Sequence, residues 1–133
     1  MRKSVLNFLR KMGLEIPNNE EDLKALLKGS SLTEPQLEVL LIELASATSG
    51  RKLSFEEKAK VRKVSKGAYA RTLRQAVENI KKSVYTIFLL RYLGILGDGA
   101  VSSLLEAAEL LSRGNVEESV KLISDVMLRD ITA

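Results

Sequence analysis

The chain has no cysteine and no histidine among its 133 residues. Those two absences exclude Cys/His zinc sites, thiol nucleophiles, disulfide frameworks and every catalytic arrangement built on an imidazole, the Ser-His-Asp triad included. There is no tryptophan, and only 2 prolines and 8 glycines interrupt a background rich in Leu, Ala, Glu and Lys, a mixture that favours helices over strands. No G-x-x-x-x-G-K-S/T or G-x-G-x-x-G string is present; residues 94–99 precede a helix but lack both the Lys-Ser/Thr pair and a preceding strand. Glu106 and Glu109 share a helical face, which is the ordinary spacing of a solvated surface rather than of a Mg²⁺ site. No cofactor, no metal and no enzymatic activity are therefore expected. The opening MRKSVLNFLRKM is broken by Arg10 and Lys11 well short of a secretory core. The apolar run 84–96 is also too short, and interrupted by Arg91, for a membrane span of about 20 residues. A cytoplasmic protein is the expectation, and the missing cysteine fits it.

What is present is 45% apolar residues, enough for a globular core, and a net charge of +4 that is unevenly placed. Residues 51–82 hold eleven cations (Arg51, Lys52, Lys58, Lys60, Arg62, Lys63, Lys66, Arg71, Arg74, Lys81, Lys82) against Glu56, Glu57 and Glu78, a net of +8, which leaves −4 for the remainder. A basic block inside a mildly acidic protein is the electrostatic footprint of a polyanion site, because neutralising phosphates releases counterions.

Apolar periodicity and caps predict about seven helices in one compact all-α domain. A short amphipathic helix over 4–12 stops at Gly13. A second opens after an Asn18 cap with Glu20, Glu21 and Asp22 in its first turn and ends at Gly29-Ser30-Ser31. Thr33-Glu34-Pro35-Gln36 reads as a capping box with proline in the first turn, opening a helix to about Thr48, with a polar connection over 46–52. Ser54 caps a short helix to about Arg62, Val64-Ser65 makes a tight turn, and Ser65 caps one long helix over 66–93. Its first half is basic. Its second half, 84–96, is so apolar that burial almost all round is expected, as a central core helix with the terminal helices packed about it or at a subunit interface, and Tyr85, Phe88 and Tyr92 stand at core spacing. Helices over 101–113 and 116–128 form a hairpin joined by Gly114-Asn115. The regions are then an N-terminal helical pair (1–31), a nucleic-acid-binding region (32–82), and an apolar helix with C-terminal hairpin (83–133).

The string LSFEEKAKVRKVSKGAYARTLRQAVENI, 53–80, resembles the helix-turn-helix of bacterial sigma factors, in their promoter-reading region, and of related response-regulator DNA-binding domains. The matching residues are Leu53, Ser54, Glu56, Glu57, Ala59, Val64, Ser65, Lys66, Tyr69, Arg71, Leu73, Ala76 and Ile80. The preceding Leu32-Thr33, Gln36 and Glu38-Val39-Leu40 are similar to the helix start those families share, so the likeness spans 32–80. Three features depart from the pattern: Lys63 stands where glycine is usual, Lys58 and Arg62 occupy inward positions that are normally apolar, and the 46–52 connection is long.

The spacing has a physical reading without the family. A short helix and a tight turn let the next helix cross steeply, with Ala59 permitting close approach and Val64 and Tyr69 as the wedge. The second helix would then offer Lys66, Ala68, Ala70, Arg71 and Arg74 to a major groove, with Ser65 and the first free amides on phosphate. Arg71 and Arg74 are the candidates for guanine. Lys58, Lys60, Lys63, Lys66, Lys81 and Lys82 are candidates for backbone neutralisation. The expectation is a DNA-binding transcription regulator on duplex DNA, working as a homodimer paired through 84–96 or the C-terminal hairpin. The alternatives are a helical adaptor whose basic face meets an acidic protein, and an RNA-binding protein.

Overall fold

The computed structural model describes the backbone of residues 1–16 and 20–132 and their side chains as far as Asp125. Among the described residues the fold is all-α, with seven helices and no strand. They are α1 (Lys3–Lys11), α2 (Glu20–Gly29), α3 (Glu34–Ser49), α4 (Phe55–Arg62), α5 (Lys66–Tyr92), α6 (Asp98–Ser112) and α7 (Val116–Thr132). The expected Asn18 cap of α2 lies outside the described residues.

Local chemistry sets the boundaries. Thr33 Oγ1 accepts from the Gln36 amide at 3.3 Å while Gln36 Oε1 accepts from the Thr33 amide at 3.2 Å, closing the capping box that starts α3. The helix ends at Ser49, one residue beyond the expected Thr48 and inside the polar stretch 46–52. Ser46, Thr48 and Ser49 turn their hydroxyls onto carbonyls of the preceding turn instead of leaving the helix, and Gly50 ends it at a φ of 72°. Ser54 accepts from the Glu57 amide and Ser65 from the Ala68 amide, so each of the next two helices starts on a serine cap.

Two apolar clusters form. In the first, Val5 and Leu9 of α1, Val39, Ile42 and Ala45 of α3, Ala59 of α4 and Tyr69 of α5 are buried together, with Val61, Val64 and Leu73 packed against them. In the second, Leu96 and Ala100 are buried with Leu90 and Leu122 around them. The α6–α7 hairpin is pinned from within, where the buried Ser119 hydroxyl donates to the Ala107 carbonyl at 2.8 Å. α5 joins the clusters as a rod of about 40 Å.

That rod overturns one expectation. The 84–96 stretch is not buried all round: Tyr85 is 73% exposed, Phe88 66% and Tyr92 87%, and Val84, Ile87 and Leu89 are exposed as well. The α2–α3 loop reaches α5 as far as Ser83, whose hydroxyl lies 3.3 Å from that of Ser31, while Asn79 Nδ2 donates to the Ser31 carbonyl and, on α3 itself, to Gln36 Oε1. Beyond that point α6 and α7 pair chiefly with each other and α7 with α2, so within 84–96 only Leu96, which is buried, and Leu90, half-buried beside it, join the second cluster. The core spacing of Tyr85, Phe88 and Tyr92 therefore marks an apolar surface.

Candidate nucleic-acid interface

The two departures at Lys58 and Arg62 are resolved by carboxylates on α3. Arg62 points inward, 5% exposed, and its Nε donates to Glu38 Oε1 at 3.1 Å. Glu38, equally buried, takes the Arg2 backbone amide on its other oxygen at 2.8 Å, and the Arg2 guanidinium donates to the Arg62 carbonyl. Lys58 reaches Glu43 at 3.1 Å and sits 5.3 Å above the Phe55 ring. Glu43 also accepts the Tyr69 hydroxyl at 2.9 Å. The inner face of α4 is therefore held to α3 by charge pairs where an apolar seam would otherwise lie. Lys58, expected on phosphate, is turned to Glu43 and half-buried.

Tyr69 fills the wedge between α3, α4 and α5: it is fully buried, with its ring centroid 6.0 Å from that of Phe55. Burial first, and then the hydrogen bond and charge of Glu43, push its phenol well above the ordinary 10.0, against a smaller downward pull from Arg62. The native state keeps this proton at a pH where the unfolded chain loses it. The linked stability is thus complete below pH 10 and falls as pH rises beyond it. Thermal unfolding followed across pH 9–11 should show wild type losing about 1.4 kcal/mol more per pH unit above 10 than Tyr69→Phe.

At the α4–α5 turn Lys63 adopts φ 57° and ψ 42°, and among the described residues it is the one non-glycine with positive φ. Its amide closes onto the Lys60 carbonyl and that of Val64 onto Ala59, which tightens the last turn before Ser65 opens α5. A left-handed residue with a Cβ costs about 1–2 kcal/mol. Lys63→Gly should therefore raise stability by about 1 kcal/mol, seen as a rise of about 3–4 °C in thermal midpoint, and Lys63→Val should lower it.

The cations around this turn are open to solvent. Lys60, Lys63, Ser65, Lys66, Arg71, Arg74, Lys81 and Lys82 are all exposed, and Lys81 alone of the lysines and arginines here has an acidic neighbour among the described residues, Glu78 at 3.7 Å. At about 100° per residue Lys66, Ala70, Arg71, Arg74, Lys81 and Lys82 fall within about 160° of one another on α5. Ala70 lies between the cations and is half-buried; Ala68 sits at the edge of the face, next to the buried Tyr69. The Ser65 hydroxyl accepts from Ala68, which leaves its own proton to donate outward. The Lys66 and Gly67 amides, ahead of the first intrahelical bonds, face the same end. Sequence reasoning missed Glu38, Glu43 and Arg2. The signal for the two carboxylates was there, in two cations on the inward side of one helix and two acids on the apolar helix before it.

Among the described residues no group of three acidic side chains is close enough to hold a metal ion, and no helix is long and apolar enough to cross a membrane. Compared with family models, curated proteins and solved structures, the chain matches none.

Proposed function

We propose that this protein binds duplex DNA as a transcription regulator does, with the first turns of α5 in the major groove and the end of α4 on the flanking phosphates. The observation that carries this reading is the group of exposed cations without acidic partners among the described residues: Lys60, Lys63, Lys66, Arg71 and Arg74 around the α4–α5 turn, with Lys82 farther along the same face of α5. A B-form major groove is about 12 Å wide and admits one helix with its side chains, and phosphate oxygens are the acceptors that lysines and helix-start amides meet there. Arg71 and Arg74, one turn apart on the outward face, have the forked donors suited to guanine. The A-form major groove of duplex RNA is too deep and narrow for the same approach, which favours DNA. The likeness of 32–80 to promoter-reading helix-turn-helix domains supports the same assignment.

Fluorescence anisotropy on a labelled random duplex, over about 50–250 mM salt, tests it. With about five phosphates neutralised per protomer, log K against log salt should fall with a slope near −4 to −5 per protomer. A flat line defeats the proposal. Equal binding to duplex RNA would mean that the phosphate backbone alone is recognised, without entry into a groove.

A further inference from the structure

The apolar half of α5 carries an inference that stands whether or not the nucleic-acid reading holds. Ten of the fourteen large apolar side chains exposed among the described residues lie between Val77 and Ile95. The chain exposes 9408 Å², whereas a folded monomer of 14.7 kDa exposes about 6,900 Å². The excess, about 2,500 Å², belongs to the whole elongated chain, and the uncovered apolar half of α5 is part of it; an obligate interface takes about 1,000 Å² or more from each partner. Soluble monomers seldom leave a contiguous apolar patch of more than a few hundred Å².

We infer that the outward face of α5 around Phe88 is the contact between two copies of this chain, packed antiparallel about a twofold axis near that residue. Val84, Phe88 and Tyr92 recur every fourth residue on this face, with Tyr85 and Leu89 beside them, and α6 and α7 touch the helix on another side, at Leu90. The charges choose the direction. In a parallel pair, Lys81 and Lys82 of each copy would lie against the same residues of the other, like charge on like. In an antiparallel pair centred on Phe88 they are carried away from each other and fall beside the partner's α5 C-terminus, the negative end of the helix dipole. The same turn sends the basic stretches 66–82 to opposite ends of the dimer, clear of each other. A C2 contact of this kind closes on itself and stops at two copies.

Sedimentation equilibrium of the full chain at micromolar concentration should give about twice 14.7 kDa. Phe88→Glu with Tyr92→Glu should weaken that association at least about 100-fold with helical circular dichroism unchanged, since both side chains are exposed. The chain has no cysteine, so single substitutions report geometry cleanly. Under mild oxidation Phe88→Cys should cross-link to itself and Lys81→Cys should not. The inference is overturned by a monomer at every concentration, whether or not it then floats with anionic vesicles, and by a dimer that survives the glutamate pair. Cross-linking of Lys81→Cys in place of Phe88→Cys, or an assembly larger than two, overturns it equally.

Discussion

Replacing Arg71 and Arg74 together with alanine should lower affinity for duplex DNA by about 100-fold or more and leave the fold as it is. Both side chains are exposed and have no ion-pair partner among the described residues, so their removal takes nothing from either apolar cluster. A contact from arginine to a base edge contributes about 1–3 kcal/mol, and a phosphate contact somewhat less. Two lost contacts therefore come to about 3 kcal/mol, which at 1.4 kcal/mol per decade is a little over two decades in K. The salt slope separates the two roles. Where both arginines meet phosphate, it becomes shallower by about 2; where they meet bases, the slope holds and discrimination between sequences falls. Arg71→Lys retains the charge without the planar fork, so it should keep non-specific affinity and lose selectivity. Unchanged binding by the double variant, with thermal midpoint unchanged, would refute α5 as the reading element and leave the basic face to an acidic protein.

What was legible in the sequence is the part that local chemistry decides. Caps at Thr33, Ser54 and Ser65, the break at Gly13 and the hairpin turn at Gly114 fix where helices begin and end, and side chain and backbone within a few residues suffice to recognise them. Tyr69 as a wedge was legible for the same reason, because the turn before it leaves one inward position for a large side chain. What was not legible depends on partners far along the chain. The apolar content of 84–96 says that it needs cover, and says nothing of where the cover comes from; the α2–α3 loop reaches α5 only as far as Ser83, and the hairpin uses its own apolar faces on itself. Periodicity alone gives Tyr85, Phe88 and Tyr92 the same pattern in a core or at a surface. The inward cations at Lys58 and Arg62 were visible as departures, but their resolution needed Glu38 and Glu43, 24 and 15 residues away, to arrive on the facing side of α3. Electrostatic complementarity across a helix pair substitutes for the apolar seam, and its two halves lie too far apart for local pattern to join them.

That substitution makes Glu38 a sensitive polar position. Glu38→Ala should destabilise the fold by about 3–5 kcal/mol, because the Arg62 guanidinium, 6% exposed, is left charged and without its carboxylate in a nearly buried site. The Arg2 amide loses its acceptor at the same time, so the start of α1 loosens from α3. For 133 residues, with an unfolding entropy of about 2.1 cal/mol/K per residue, the thermal midpoint should fall by about 10–18 °C. The pair itself, by contrast, contributes little beyond an apolar seam of the same volume, since desolvating both ions offsets most of their attraction. Glu38→Leu combined with Arg62→Met should therefore recover most of the lost stability, and with Glu38→Leu and Arg62→Met measured singly the cycle gives the coupling. The double variant also reports on binding. If the ion pair fixes how α4 lies on α3, and so where Lys60 and Lys63 are presented beside α5, the stable double variant should bind DNA more weakly than wild type. Loss of less than about 1 kcal/mol in Glu38→Ala would mean that Arg62 finds water or another acceptor, and that the packing of α4 rests on Ala59 and Tyr69 alone.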